Sequence, residues 1–326
     1  MIIVTGGAGF IGSNLVRGLN RRGRDDVLIV DDLTNGEKHL GLNALDFEDL
    51  VDYRDFAERL DDWAHEPIDA IFHQGACSDT TERDGRFMLA VNYEYSKRLY
   101  AFAQGRCPFV YASSAAVYGD GSAGFREEPE CEHPLNVYGF SKLVFDNWVR
   151  RRLPRATTQV VGLRYFNVYG PQENHKGRMA SVVYKFHRQI EERGVLQVFE
   201  GSERFVRDFV YVEDAVDLNL WFLDRPDRSG VFNCGTGTTA SFLEVAEATR
   251  SHYAGARIET IPFPADLVGK YQEHTCADLA RLRAAGYERS FTPLAQGVRA
   301  YVEILQRDGG YPRRSAPREA AGTKGR

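Results

Sequence analysis

The chain reads as an α/β protein: a Rossmann-type, doubly wound parallel sheet with a smaller mixed α/β lobe toward its C-terminal side. Three observations predict this. A short apolar run, Ile2-Ile3-Val4, passes directly into Thr5-Gly6-Gly7-Ala8-Gly9-Phe10-Ile11-Gly12 and then a helical pattern. Strand-length apolar runs and helix-length segments alternate through the first half, which implies a parallel sheet covered on both faces. An acid, Asp31, ends the second apolar run about 20 residues beyond the glycines, where a ribose-binding carboxylate stands in dinucleotide sites.

The elements follow in order. Ile2 to Val4 is the first strand and Ile11 to Arg22 the first helix; Val27 to Asp31 is the second strand. Asp69 to His73 is a further strand that leads into the turn Gln74-Gly75-Ala76-Cys77. Arg86 to Ala103 and Val137 to Arg152 have helical length, and Pro108 to Ser113 is a strand. Gln159 to Arg164 reads as the last strand of the parallel set. Beyond Tyr165 the alternation loosens into a loop (Phe166 to Arg178), a helix (Ala180 to Glu192), and short strands near Val198 and Val210. A helix near Glu213 to Leu223 and a strand at Val231 to Cys234 follow. The expected division is a dinucleotide-binding domain over 1–166, to which some later segments return, and a mainly substrate-binding lobe over 167–312. The polar stretch 313–326 reads as a disordered tail.

Composition sets bounds. The chain has 326 residues, 43% of them hydrophobic and 27% charged, as in ordinary water-soluble proteins. A net charge of -5 gives no basic face for nucleic acid. No apolar run approaches the roughly 18 residues of a membrane span, and no basic leader precedes the first strand. Five cysteines, an odd number without a Cys-x-x-Cys pair, read as reduced thiols of a cytoplasmic protein. His73 ends an apolar strand with no second ligand at metal spacing, so no metal is expected.

Gly6, Gly9 and Gly12 stand between a strand and a helix, the context a dinucleotide turn requires. Glycine lets the backbone approach a pyrophosphate, and the helix N-terminus offers free N–H groups. Asp31 nominally favours NAD, whereas Lys38 or Arg54 could reach a 2′-phosphate and favour NADP. Residue types alone leave that choice open.

Further on, Tyr138 and Lys142 lie four residues apart, on one face of a helix. An ammonium beside a phenol favours phenolate, which would make Tyr138 a general acid/base for a hydroxyl proton. Lys176, in a loop, reads either as a solvated side chain or as a second proton carrier whose pKa burial lowers. Arg207 is either half of a surface pair with Asp208 or a bidentate ligand for a diphosphate. Asn92 either steadies the cofactor-site backbone or lies on a helix surface.

Taken together, the glycine turn, the Tyr138/Lys142 pair and the runs Arg164-Tyr165-Phe166-Asn167-Val168-Tyr169-Gly170-Pro171 and Arg207-Asp208-Phe209-Val210-Tyr211-Val212-Glu213-Asp214 resemble the extended short-chain dehydrogenase/reductases that act on nucleotide sugars. The runs Phe72 to Ser78, Asn174-His175-Lys176-Gly177 and Phe199-Glu200-Gly201-Ser202 resemble, within that family, the ADP-L-glycero-D-manno-heptose 6-epimerases. The likeness spans about residues 1 to 307.

The resemblance implies an isomerase that holds NADP and inverts C6″ of ADP-glyceromanno-heptose through a transient ketone, for the heptose of lipopolysaccharide inner core. It implies that Tyr138 and Lys176 handle the proton for the two epimers, that Lys142 holds the nicotinamide ribose, and that Ser114 hydrogen-bonds the reacting oxygen. It implies a cofactor lining of Phe10, Ile11, Asp31, Asp32, Lys38, Gln74, Gly75, Ala76, Cys77, Ser78, Asn92, Val168 and Lys176. Substrate contacts would come from Asn167, Arg178, Lys185, Phe199, Glu200, Gly201, Ser202, Arg207 and Tyr271. A homo-oligomer, such as a pentamer, is also implied. The chain departs from the family pattern at Tyr53, where a Lys is common, and at Gln74, Arg178 and Lys185, where Glu, Ser and His are common.

Two other functions compete. A UDP-hexose 4-epimerase needs no second base, and a 4,6-dehydratase needs an acid pair beside the catalytic hydroxyl that Ser113-Ser114-Ala115-Ala116 does not supply. A non-catalytic dinucleotide sensor could dispense with the Tyr138/Lys142 pair, which this chain retains.

Overall fold

A computed structural model describes residues 1–264 and 272–314. Its centre is a seven-stranded parallel sheet. In chain order the strands and their connections are β1 (Ile2–Thr5), α1 (Phe10–Arg21), β2 (Val27–Asp31), β3 (Asp49–Asp52), α2 (Tyr53–Glu58), β4 (Ala70–His73), α3 (Gly85–Leu89), α4 (Tyr95–Ala103), β5 (Phe109–Ser114), α5 (Val137–Arg150) and β6 (Val160–Tyr165). The remainder is β7 (Asn167–Tyr169), α6 (Val182–Arg193), β8 (Val195–Phe199), β9 (Val206–Arg207), β10 (Phe209–Tyr211), α7 (Val212–Leu223), β11 (Gly230–Cys234), β12 (Ala240–Ser241), α8 (Phe242–Arg250), β13 (Arg257–Ile261), α9 (Ala280–Ala284) and α10 (Leu294–Asp308).

The order across the main sheet is β11-β6-β5-β4-β1-β2-β3. Chain progression reverses between β1 and β4, so their carboxyl ends open a crevice, the place where such sheets take ligands. The strands are buried on both faces, which explains their nearly unbroken apolar sequence. Alternation sends Ile2, Val4, Val27 and Ile29 to one core and Ile3, Leu28 and Val30 to the other. The first core packs against α1 and α7 through Leu15, Val16, Leu19, Val216 and Trp221. The second packs against α2, α4 and α5 through Phe56, Leu99, Phe102, Phe145 and Val149. A third core joins α6, α8 and α10 to β8 and β10.

Two expectations need correction. The strand at Gln159 to Arg164 is not the last of the parallel set: β11 pairs with β6 from Gly230↔Val161 to Cys234↔Tyr165, and α7 packs beside α1. A parallel edge strand joined through a long crossover carries no signal in local periodicity. The helix expected over Arg86 to Ala103 runs unbroken from Gly85 to Ala103, but it is not α throughout: one π turn, Ala90–Glu94, interrupts its α segments. That turn rotates Asn92 inward, where its side chain is buried.

Small sheets carry the rest of the site. β7 runs parallel to β10, with Asn167 opposite Phe209 and Val168 opposite Val210. β9 pairs with β12, Arg207 opposite Ala240, and β8 pairs with β13.

Candidate active site

A cavity of about 730 Å³ lies over the carboxyl ends of β1, β2, β4 and β5 and is closed by the segments around β7 and Lys176. At its floor the glycine turn brings backbones into contact. Gly6 has φ +67°, and a Cβ there would lie 2.5 Å from the Gly75 nitrogen; one on Gly12 would lie 2.0 Å from the Gly6 oxygen. Gly9 is the N-cap of α1 and supplies no side-chain cap, so the first N–H groups of the helix are left unpartnered by a cap.

Asp31, 7% exposed, ends β2. Its Oδ2 accepts from the Ala8 N–H at 2.7 Å, and its Oδ1 accepts from the Lys38 ammonium at 2.8 Å. Lys38 also donates to the Asp32 carbonyl at 2.8 Å. Asp32 is turned outward: its carboxylate accepts from Thr34 N–H at 2.7 Å and from Arg54 at 2.8 Å. The Thr34 hydrogen bonds hold that carboxyl below its usual range. Arg54 lies over the Tyr53 ring, 4.8 Å from its centroid.

The turn after β4 forms the next wall. Gln74 uses both ends of its amide, accepting from Tyr165 at 3.0 Å and donating to Asn219 at 3.2 Å. Asn92 stands behind this wall. Its Oδ1 accepts from Cys77 N–H at 2.8 Å, and its Nδ2 donates to the Cys77 carbonyl at 2.9 Å and to Ser141 at 3.0 Å.

α5 carries Tyr138 and Lys142, the pair singled out in the sequence. Its N-cap Asn136 accepts from Gly139 N–H at 2.8 Å, which fixes the first turn and with it Tyr138. The Tyr138 hydroxyl is hydrogen-bonded to Ser114. One turn on, Lys142 donates to the Ala112 carbonyl at 2.9 Å. Burial raises the Tyr138 pKa, and the Ser114 bond only partly offsets this. The expected lowering by Lys142 is therefore corrected: the desolvation of a buried phenol is the larger effect. Burial also brings Lys142 down to about 8, against the opposing pull of Asp146 and Cys77.

Lys176 reaches the same cavity from the turn before α6. Its ammonium sits 4.8 Å from the centroid of the Phe10 ring, a cation–π contact with the first residue of α1. Burial lowers its pKa and Glu173 opposes that shift. Glu173 is fully buried and clamps the turn, accepting from Ser181 N–H and Oγ, both at 2.6 Å. Gln172 ties the same segment to Asn14 of α1 at 3.2 Å, and Asn174 ties it to the Gly309 carbonyl at 2.9 Å.

Asn167, Val168 and Arg207 line the cavity, together with Phe209 and Phe242. Arg207 donates to the Val206 carbonyl at 2.9 Å and to the Gln272 carbonyl. Several expected contacts lie away from the cavity wall among the described residues. Arg178 is an exposed bridge, paired with Asp79 at 2.6 Å and bonded to Thr81. Lys185 is exposed on α6. Phe199 ends β8 and packs edge-on against Phe263 at 5.7 Å, and Glu200 to Ser202 follow it. Asp32 and Asn92 sit behind the lining, as described, and Tyr271 lies outside the described residues. Conversely Asp79, Thr80 and His175 line the cavity; no sequence signal marks the first two, and His175 stands out only within the run around Lys176.

A sequence model of the NAD dependent epimerase/dehydratase family matches residues 2–235. This chain belongs to that family. Among relatives, a Brachyspira hyodysenteriae protein is 52% identical over 316 residues, covering 95% of this chain and 99% of its own. An Alkalilimnicola ehrlichii protein is 54% identical over 312 residues, covering 94% and 97%. Both are named ADP-L-glycero-D-manno-heptose-6-epimerase. A crystal structure of the Helicobacter pylori enzyme of that name superposes with a TM-score of 0.81 at 30% identity, covering 94% of this chain and 96% of the other.

The family's nicotinamide dinucleotide fits the cavity on the structure's own terms. The contact between Gly6 and Gly75 leaves no room for a side chain, α1 presents an uncapped N-terminus to a pyrophosphate, and Asp31 ends β2 beside it.

Proposed function

We propose that this chain interconverts ADP-D-glycero-D-manno-heptose and ADP-L-glycero-D-manno-heptose at C6″, with NADP as the tightly held dinucleotide, for lipopolysaccharide inner-core heptose. The observation that carries the reading is that one cavity holds two proton-handling groups on separate elements: Tyr138 on α5 and Lys176 in the turn before α6. An epimerisation that loses and regains hydrogen on opposite faces can present its carbinol oxygen in two orientations, and one base cannot serve both unless that oxygen returns to the same place. The name shared by relatives 52% and 54% identical supports the choice of sugar.

The bound dinucleotide supplies a hydride acceptor for C6″ that also returns the hydride. The chain's own residues manage the proton. Tyr138, kept protonated by burial and oriented by Ser114, exchanges a proton with the C6″ oxygen of one epimer. Lys176, whose ammonium burial disfavours, does so for the other. Lys142 holds the nicotinamide ribose beside Tyr138. Gly6, Gly9 and Gly12 with Phe10 and Ile11 carry the pyrophosphate, and Gln74 to Ser78 with Val168 flank the nicotinamide. Asn167 and Arg207 meet the ADP-sugar, with Arg207 suited to the diphosphate.

Preference for NADP over NAD rests on Lys38 and Arg54. Lys38 neutralises Asp31 at 2.8 Å and Arg54 neutralises Asp32 at 2.8 Å. Together they would turn the end of β2 from a ribose acceptor into a site for a 2′-phosphate. A cytoplasmic homo-oligomer completes the proposal; no described helix is long and apolar enough to cross a membrane.

NMR of ADP-D-glycero-D-manno-heptose incubated with the enzyme tests this. Wild type should convert it to the L-glycero isomer, and Tyr138→Phe and Lys176→Met should each lower kcat by about a hundredfold or more. No conversion by cofactor-loaded wild type would refute the assignment.

A further inference from the structure

His73 ends β4 at the point where the sheet reverses its order, in register with Thr5 of β1. It is buried, and neither ring nitrogen reaches the cavity; both are hydrogen-bonded within the protein. Nδ1 lies 2.6 Å from the Thr5 hydroxyl, and Nε2 lies 2.8 Å from the Ser96 hydroxyl.

The direction of these bonds follows from their neighbours. Ser96 Oγ donates its one hydrogen to the Asn92 carbonyl at 2.7 Å, so towards His73 it accepts, and Nε2 carries the proton. On the other side the Gly75 N–H donates to Thr5 Oγ1 at 3.2 Å, leaving the Thr5 hydroxyl hydrogen for a bare Nδ1. The chain closes through Asn92, which grips Cys77 by both backbone groups and donates to Ser141 at 3.0 Å; Ser141 in turn donates to the Tyr138 carbonyl at 2.7 Å.

We propose that His73, as the neutral Nε2–H tautomer, is a positioning residue that fixes the cofactor-facing turn Gly75–Cys77 and registers it against the catalytic helix α5. It does so because a neutral imidazole accepts at one ring nitrogen and donates at the other, spanning the gap between Thr5 of β1 and Ser96 of α4. Cys77 and Gly75 line the cavity; His73, Ser96 and Thr5 do not. The groups facing the ring are Tyr95 from α4, edge-on at 5.6 Å, Phe109 from β5, stacked at 6.0 Å, which help to exclude water, and Lys142 from α5, which repels a second cation. Burial, with Lys142, takes its pKa down to about 3.

The inference rests on the dinucleotide site and not on which sugar is turned over, so its tests avoid the sugar. Long-range ¹H–¹⁵N spectra of the ¹⁵N-labelled holoenzyme, with His73→Phe to identify the signals lost, should show one ring protonated at Nε2 and bare at Nδ1 at neutral pH. An Nδ1–H ring or an imidazolium there overturns the proposal. Fluorescence titration with NADPH supplies the second readout. Thr5→Val, which removes the hydroxyl shared by His73 and Gly75, and Ser96→Ala, which removes the one shared by His73 and Asn92, should each weaken binding about tenfold, while Thr5→Ser should retain it. Wild-type affinity in both broken-link variants would sink the positioning role even if the tautomer is correct.

Discussion

Tyr138 and Lys142 show how far a residue's chemistry departs from its spacing. Four residues on a helix place them on one face, yet burial sets their protonation, raising the phenol and lowering the ammonium to about 8. Lys38 is the residue on which the 2′-phosphate reading turns, since its ammonium lies 2.8 Å from Asp31. Lys38→Met should raise the Kd for NADPH about tenfold or more while changing that for NADH little, because loss of a charge-assisted bond to phosphate is worth roughly 1.5–3 kcal/mol. Paired fluorescence titrations decide it; equal losses for both dinucleotides would return Lys38 to a purely structural role. The buried histidines predict the acid response. His73 is lowered to about 3 and His175 to about 4, both chiefly by burial. Between the ordinary histidine range, about 6.5, and those values, the unfolded chain binds protons that the native chain refuses. Stability is therefore full above about 6.5 and falls as pH drops through that window. Urea midpoints measured from neutral pH downward should decline, with a shallower slope in His73→Phe.

At the scale of elements, caps and clamps place the reactive groups. Asn136→Ala removes the cap of α5 and should cost about 1 kcal/mol of stability, with a larger loss in kcat than in substrate KM because the first turn holds Tyr138. The ties between elements are also ionic. Arg164 of β6, fully buried, meets Asp146 of α5 at 2.9 Å and Glu132 at 2.5 Å. Arg164→Met leaves both carboxylates short of a partner in a dry core and should destabilise by about 3 kcal/mol or more, read as a lower urea midpoint. The ends of α1, α5 and α7 and the glycine turn were legible because periodicity, glycine spacing and caps are local; α2, α8, α9 and α10 were not anticipated. The π turn at Ala90–Glu94 was not, because the residue it serves, Cys77, lies 15 positions away. Glu173 was equally silent: nothing in the sequence distinguishes a carboxylate that will clamp a buried loop from one in solvent.

For the whole molecule, the main sheet is completed from the far end of the chain. β11 covers the edge of β6, and α7 covers the same face as α1. A fragment ending at residue 166 leaves β6 as a bare, apolar edge and should aggregate, whereas one ending at 235 restores that strand pair; light scattering of the two separates these outcomes. The segment around Lys176 likewise depends on both ends of the chain, held by Asn14 of α1 and by the carbonyls of Gly309 and Gly310 after α10.

By itself the sequence determined the α/β class and the dinucleotide turn, and it singled out Tyr138 and Lys142 as candidates, since each is written in residues close together along the chain. Only the tertiary structure decided which of them share a cavity and how each is protonated. It brought Lys176 onto the Phe10 ring, left Phe199 to Ser202 and Lys185 off the cavity wall, and enclosed His73 between Thr5 and Ser96. The reason is physical: burial and long-range hydrogen bonds set these properties, and both exist only once distant segments have packed.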